Sequence, residues 1–191
     1  MLIKEISALL RPQQYVKNLF VLAPIFFAGL AMDTHLLAQS LYAFIFFSLT
    51  ASSIYILNDI MDVEEDKVHP KKKERPIARG SVPISTAWIT FFALIVVSLI
   101  GSLYVSVSLT YILVAYILLN FFYSLGLKHY SIIDISLISI GFVLRIFAGS
   151  VVINIPPSMW IILMTFLLAF FLALAKRRDD ILLATKGLKT R

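Results

Sequence analysis

Four polar side chains follow directly on a long apolar stretch, at spacings that suit one face of a helix. They are Asn58, Asp59, Asp62 and Asp66, and residues 36–57 before them are uncharged and mostly apolar or small. At about 100° per residue, the three carboxylates lie within a sector of about 100° that begins at the amide. Carboxylate and amide oxygens suit Mg²⁺ or another hard divalent cation, which commonly joins carboxylates to substrate phosphates. The pattern predicts metal-assisted chemistry on a phosphoester.

A basic segment follows the acidic residues and completes the pattern expected of a diphosphate site. Its members are Lys67, Lys71, Lys72, Lys73, Arg75 and Arg79. Guanidinium groups bind phosphate oxygens through paired hydrogen bonds, and Arg75 is the arginine nearest the acidic residues. The alternative is a solvated helix end whose charges pair loosely. The position of Asn58 and Asp59 favours a site, because ionisable residues that continue an apolar span are costly there and usually functional.

A second set of polar residues surrounds a later apolar segment. Asp134 and Arg145 are eleven residues apart, which places them on one helix face but about 16 Å from each other. An arginine inside a span must face the bundle interior or a water-filled cavity and find an anionic partner, either a substrate phosphate or a protein carboxylate. Tyr123 and Lys128 precede this segment and are further candidates for substrate binding. For Lys128, a solvated loop lysine is the competing interpretation.

Lys17 is another candidate substrate ligand, near the N-terminus. It stands in the stretch YVKN, ahead of an apolar segment. A phosphate contact at the cytoplasmic mouth and a lysine that only extends its head group to water are both compatible with this position.

The elements that position these residues are membrane helices. Hydrophobic residues make up 60% of the chain and charged residues 15%, whereas soluble domains carry about 25% charged residues. Uncharged stretches long enough to cross a bilayer precede Asp59 and follow Arg79, and the stretch after Asp134 is interrupted only by Arg145. The sequence therefore predicts an all-α, polytopic transmembrane helical bundle. The net charge of +6 fits anionic lipid head groups, so no nucleic acid partner is expected.

Six crossings are predicted, with both termini on the cytoplasmic side of the plasma or inner membrane. The first is residues 18–32, a short stretch that contains Pro24 and is read as a span rather than a re-entrant segment. Turns at residues 101–108 and 154–157 divide the longer apolar stretches in two. Sixteen of the seventeen Lys and Arg residues then fall on one side, with Arg145 the exception. This asymmetry assigns that side to the cytoplasm.

Several stretches together resemble the UbiA superfamily of intramembrane prenyltransferases. The pattern NDxxDxxxD at the end of a second span, followed by HPKKKERPIARG, is similar to the first signature of that superfamily. The stretches RPQQYVKNLFVLAPIFFAG, YSLGLKHYSIIDI and GFVLRIFAGS resemble the branch whose members transfer a phosphoribosyl group to a polyprenyl phosphate. The likeness covers nearly the whole chain, which is read as one domain, residues 1–191.

The resemblance implies a reaction and a set of roles. A soluble donor, 5-phosphoribosyl diphosphate, would be held by Mg²⁺ on Asp59, Asp62 and Asp66, with Asn58 beside them. The acceptor would be a polyprenyl phosphate such as decaprenyl phosphate, entering from the bilayer. Many members carry a second aspartate pair, DxxxD, but here Ile138 stands four residues after Asp134. That departure disfavours a prenyl diphosphate donor, although prenyl transfer to an aromatic or other small acceptor remains the alternative enzyme function.

The resemblance also raises an expectation about length. Members of the superfamily have nine membrane helices, whereas six crossings are predicted here, so the C-terminal third is expected to be missing. This leaves a non-catalytic membrane protein or an inactive remnant as a further possibility.

Overall fold

Every regular element that the structure describes is a helix. The computed structural model describes residues 2–124 and 131–185, with side chains described for residues 5–124 and 132–178. The α-helices are α1 (Leu2–Leu10), α2 (Ala23–Phe27), α3 (Thr34–Met61), α4 (Val63–Val68), α5 (Ile84–Val105), α6 (Val107–Ser124), α7 (Ser131–Val152) and α8 (Met159–Thr185). Two 3₁₀-helices are η1 (Pro12–Leu22) and η2 (Lys72–Glu74). The predicted all-α class is confirmed.

Five of these helices are long and apolar enough to cross a membrane, namely α3, α5, α6, α7 and α8. Most of α3 and half of α7 are buried, whereas α5 and α8 are largely exposed. Side chains such as Phe92, Leu103 and Phe171 on the outer helices are exposed, as expected where the surrounding solvent is lipid. The chain is an integral membrane protein with several spans, and α3 and α7 form its centre.

A sixth segment lies along α3, but it is not the regular span predicted for residues 18–32. It begins at Pro12 as η1 and continues into the five-residue helix α2. Arg11 contacts Asp59 at one end of α3, Tyr15 and Asn18 contact successive residues along it, and the turn after α2 leads into its first residue. The segment thus runs antiparallel to the full length of α3. Pro24 lacks an N–H group, which is one reason why a long α-helix does not form here.

The core is built where small residues of α3 let its neighbours approach closely. Within the sequence SLTASS, Ser48, Thr50 and Ala51 are buried, and small side chains at helix contacts allow close packing in membrane proteins. The principal cluster joins η1, α3, α6 and α7 through Val21, Ala43, Phe47, Ala51, Ile54, Leu113, Tyr116, Ala148 and Val152. These helices hold the polar residues described below in fixed positions.

The basic segment between α4 and α5 folds against α1 rather than extending into solvent. Ile77 and Val82 are buried in a second apolar cluster with Leu9 of α1. Glu5 of α1 accepts hydrogen bonds from Arg79 and from the Ser81 hydroxyl. The segment therefore covers one end of α3, the end at which Asp59 stands. The predicted turns are also confirmed, because Ser106 alone separates α5 from α6 and residues 153–158 join α7 to α8.

Candidate functional site

The last turns of α3 place a carboxylate in the bundle interior. Asp59 is 2% exposed and lies three residues after Ile56, which is fully buried. Arg11, at the junction of α1 and η1, donates through Nη2 to both Asp59 oxygens at 2.5 and 2.8 Å. Arg75 Nη1 donates to Asp59 Oδ1 at 3.1 Å. Two guanidinium groups thus compensate a carboxylate that would otherwise be costly to bury.

Asp66, on α4, is the second buried carboxylate of the site. It is 1% exposed, and Arg75 Nη1 donates to its Oδ2 at 2.5 Å. Lys72 Nζ lies 3.8 Å from its Oδ1, which has no hydrogen-bond partner within the described part of the chain. One nitrogen of Arg75 therefore joins Asp66 to Asp59, and we call these two residues the acidic pair. The predicted grouping of Asp59, Asp66 and Arg75 is observed.

Asp62 does not complete the predicted three-carboxylate cage. Helix α3 ends at Met61 and α4 begins at Val63, so the chain leaves regular helical geometry at Asp62, which is half-buried. The angular prediction assumed one continuous helix through all three aspartates. Among the side chains that the structure describes, no group of three acidic, His or Cys residues is placed to hold a metal ion. Arginine side chains instead lie between the carboxylates.

The acidic pair nevertheless fits a hard divalent cation. Mg²⁺ is commonly held by one or two protein carboxylates, with waters and substrate phosphates as its other ligands. The pair already shares a cationic group, Arg75, and Asp66 Oδ1 is a buried oxygen without a hydrogen-bond donor in the described residues. The observed donor set therefore suits a cation bound by two carboxylates. A metal role for Asp62 stays a prediction.

Asn58 lies at the same end of α3 and links it to α6. Its Oδ1 accepts a hydrogen bond from Ser124 Oγ at 2.5 Å. This contact fixes the amide beside the acidic pair, one residue from Asp59. Its predicted role in substrate binding is not tested by this contact.

Arg11 is the residue of this site that the sequence analysis missed. It was counted among the basic residues that set membrane orientation, and no role in the site was predicted for it. A sequence signal existed, because Arg11 begins the stretch RPQQYVKNLFVLAPIFFAG that carries part of the family resemblance. Its partner Asp59 is 48 positions away in the chain, so no periodicity argument connects the two residues.

A second polar group lies at the same end of the bundle, between α6, α7 and α8. Asp134 is 2% exposed, accepts from Tyr123 Oη at 3.0 Å, and accepts from Arg177 Nη1 at 2.6 Å. The predicted neighbours Tyr123 and Asp134 are thus brought together, and Arg177 joins them. Lys128, the remaining candidate here, lies outside the described residues.

Arg145 belongs to neither group and forms a separate polar cluster deeper in the bundle. It is 5% exposed and donates to Asn18 Oδ1 at 2.8 Å, to the Gly141 carbonyl oxygen at 2.7 Å and to Tyr116 Oη at 3.3 Å. Its guanidinium carbon also lies 4.9 Å from the centre of the Phe47 ring. No carboxylate of the described residues forms an ion pair with it. These contacts tie η1 to α7 and α6 through neutral groups and aromatic rings.

Lys17 is exposed on η1, next to the buried Asn18. Lys176, Arg145 and Arg11 all lie close enough to repel its charge. Cationic side chains of η1, α7 and α8 therefore lie near one another around Lys17.

Replacing Arg145 with lysine is expected to destabilise the protein although the charge is kept. A lysine ammonium group cannot reach both Asn18 and Tyr116 as the planar guanidinium does. Loss of hydrogen bonds to a charged group predicts a decrease of about 3 kcal/mol in unfolding free energy. The measurement is thermal unfolding of the detergent-solubilised variant. The control is Arg178→Lys, which makes the same substitution at an exposed position on α8. An unchanged unfolding midpoint together with weaker phosphate binding would contradict a structural role.

Comparison with known proteins agrees with this architecture. Residues 20–188 match the profile of a family described as the UbiA prenyltransferase family. The chain is 38% identical over 195 residues to a decaprenyl-phosphate phosphoribosyltransferase of Mycolicibacterium smegmatis, covering 100% of this chain and 61% of that protein. It is 41% identical over 179 residues to the enzyme of the same description from Corynebacterium glutamicum, covering 91% of this chain and 54% of that protein. The chain thus spans roughly three-fifths of the length of these relatives.

A solved structure has the same fold. It is a UbiA homolog from Archaeoglobus fulgidus bound to GPP and Mg²⁺, with a TM-score of 0.79 and 20% sequence identity, covering 97% of this chain and 67% of that chain. At that identity the likeness concerns the helical architecture.

Proposed function

This chain belongs to the UbiA prenyltransferase family, and we propose that it transfers a 5-phosphoribosyl group from 5-phosphoribosyl diphosphate to a polyprenyl phosphate such as decaprenyl phosphate. The observation that carries the proposal is the acidic pair, two buried carboxylates joined by Arg75 and flanked by further cations at one end of the bundle. The relatives named decaprenyl-phosphate phosphoribosyltransferase, at 38 and 41% identity, support the choice of donor and acceptor.

The acidic pair is proposed to hold Mg²⁺, which when bound neutralises charge on the departing diphosphate. Asp59 and Asp66 would be the protein ligands, and Asn58 would orient the donor beside them. Arg75 and Lys72 are positioned to contact diphosphate oxygens, because both already lie against the carboxylates that the cation would join. Asp62 is retained as a proposed third acidic participant.

In the proposed reaction an oxygen of the lipid phosphate forms a bond to the anomeric carbon, and the bond from that carbon to the diphosphate breaks. Inorganic diphosphate leaves with the electron pair, so no redox partner is needed. Basic side chains fixed at the leaving group would stabilise the negative charge as it develops. The segment that Glu5 and Arg79 fasten to α1 would limit access of water to the reacting carbon.

The acceptor is proposed to approach along η1. Lys17 is exposed there, and Lys176 and Arg11 add to the positive charge around it, which favours a lipid phosphate. Tyr123, Lys128 and Asp134 remain predicted substrate-binding residues at the cytoplasmic junction of α6 and α7. We further propose that the end of the bundle with the acidic pair faces the cytoplasm, because the donor is soluble and basic residues concentrate there.

A phosphoribosyl donor is preferred to a prenyl donor because the second aspartate motif, DxxxD, is incomplete in this chain. Its first position, Asp134, is engaged by Tyr123 and Arg177, and the position four residues later is Ile138. This arrangement offers one carboxylate where a second metal-binding pair is expected for a prenyl diphosphate donor.

The proposal is tested by incubating membranes that contain the chain with radiolabelled 5-phosphoribosyl diphosphate, polyprenyl phosphate and Mg²⁺. Label is expected in the organic phase, and its transfer should stop when the cation is chelated. A parallel incubation supplies a labelled prenyl diphosphate with an aromatic acceptor. Transfer in that second reaction alone would contradict the proposed donor, and no transfer by well-folded protein in either reaction would contradict an enzymatic role for this chain.

A further inference from the structure

Arg11 adopts an unusual backbone conformation to reach the acidic pair. Its φ and ψ are 53° and 56°, in the left-handed region, where a residue with a Cβ atom is disfavoured. Arg11 and Asn154 are the non-glycine residues with positive φ in the described chain. The conformation occurs at the junction of α1 and η1 and directs the guanidinium group onto Asp59. Such local strain is characteristic of functional positions when other observations point to a ligand.

The contact made by Arg11 competes directly with metal binding. Its Nη2 lies 2.5 and 2.8 Å from the two oxygens of Asp59, the atoms that a cation would need. Arg75 also touches Asp59, but it retains Asp66 as a second partner. Arg11 has no other carboxylate partner among the described residues, so Arg11 is the group that must move for Asp59 to bind a metal.

The charges of the acidic pair and its contacts are unbalanced without a ligand. Two carboxylates are contacted by three cationic side chains, Arg11, Arg75 and Lys72. A divalent cation on the acidic pair would neutralise the carboxylates and leave the three cations without a counter-charge. The negative charge of a diphosphate group would supply it.

We propose that Arg11 is a displaceable counter-ion of Asp59, which yields the carboxylate to an incoming divalent cation and then binds the diphosphate that arrives with the cation. The inference rests on the proposed function in taking a divalent cation and a diphosphate as the ligands. Arg11 is thereby assigned as a substrate-binding residue.

The surroundings of Arg11 permit this exchange. Its side chain is 21% exposed, whereas Asp59 is 2% exposed, so the arginine can move while the carboxylate stays in place. Its guanidinium carbon lies 5.6 Å from the centre of the Tyr55 ring. An aromatic face at that distance stabilises a cation that has lost its carboxylate.

The first measurement is the affinity of the purified full chain for Mn²⁺ alone. Binding is monitored by electron paramagnetic resonance. Arg11→Gln removes the competing cation and is expected to tighten Mn²⁺ binding about tenfold, which corresponds to removal of one charged contact of about 1.4 kcal/mol. Arg178→Gln removes the same charge from an exposed position on α8 and is expected to leave the Mn²⁺ affinity unchanged. Circular dichroism and size-exclusion chromatography verify that each variant is folded.

The second measurement is the affinity for inorganic diphosphate in saturating Mg²⁺, by calorimetry. Arg11→Gln is expected to weaken diphosphate binding about tenfold, because glutamine cannot form the proposed charged contact between the guanidinium group and the diphosphate. Arg11→Lys keeps the charge and should recover part of the diphosphate affinity. Opposite changes in the two affinities are the signature of exchange, since a merely structural role for Arg11 would lower both.

An Arg11→Gln variant with unchanged or weaker Mn²⁺ binding would overturn the inference, as would undiminished diphosphate affinity. Neither measurement uses the sugar or the lipid. Failure of the proposed function would appear as absent lipid label with the two opposite shifts intact. Failure of this inference would appear as normal lipid labelling without them.

Discussion

Replacing Asp66 with asparagine is expected to reduce Mg²⁺-dependent transfer of label to lipid at least about a hundredfold. The substitution keeps the shape of the side chain but removes one of the two carboxylates that would hold the cation. Changes to residues that only support metal ligands lower affinity or activity about 10- to 100-fold, so loss of a ligand itself should have a larger effect. The measurement is initial rate of lipid labelling against Mg²⁺ concentration, with raised Mg²⁺ expected to restore little activity.

Glu65→Gln is the matched control for this prediction. Glu65 precedes Asp66 on α4 and is exposed, whereas Asp66 is buried against Arg75. The control removes one negative charge from the same helix and should retain near-normal rates. Equal activity in the Asp66→Asn variant and the unmodified protein would remove the acidic pair from the mechanism.

Replacing Gly149 with alanine is expected to lower the unfolding free energy by about 3 kcal/mol or more. A Cβ atom at this position would lie 1.8 Å from the Val21 carbonyl oxygen and 3.1 Å from Pro24 Cδ. The obstacle is backbone, so α7 and η1 would have to separate. The Asn18–Arg145 hydrogen bond spans the same interface and would lengthen. The measurement is the thermal unfolding midpoint in detergent, together with crosslinking between cysteines introduced on η1 and α7.

Gly141→Ala supplies the comparison on the same helix. A Cβ atom there would lie 3.6 Å from Arg145 Nη1 and 3.8 Å from Tyr116 Cε2, which are ordinary contacts. Because alanine is favoured over glycine within helices by roughly 0.5–1 kcal/mol, this variant should be neutral or slightly more stable. Equal stability of the Gly149 and Gly141 variants would mean that η1 does not pack on α7 as observed.

The difference between the two glycines shows what a sequence alone cannot reveal. Both stand in the same apolar segment, and neither position indicates which helix face meets η1. The deciding contact, between Gly149 and Val21, depends on how two elements far apart in the chain are placed.

The amino-acid sequence was sufficient to predict the features that depend on neighbouring residues. Long uncharged stretches predict membrane helices because burial of apolar side chains in lipid is a local property of each stretch. The spacing of Asp59 and Asp66 also predicted that they lie on the same side of the helix with Arg75 nearby, and Arg75 is observed to contact both. For Asp62 the same reasoning assumed one continuous helix, whereas α3 ends at Met61 and α4 begins at Val63, and its metal role stays a prediction.

Which polar side chains meet across the bundle depends on how the helices pack. Arg11 reaches Asp59 over 48 residues, Arg177 reaches Asp134 over 43, and Arg145 reaches Asn18 over 127. In the sequence these three arginines are basic residues far from their partners, and nothing in their spacing indicates which partner each one contacts. The packing of η1 and α8 against the central helices decides which partner each arginine meets, since side-chain contacts between distant segments follow from helix packing and not from residue spacing.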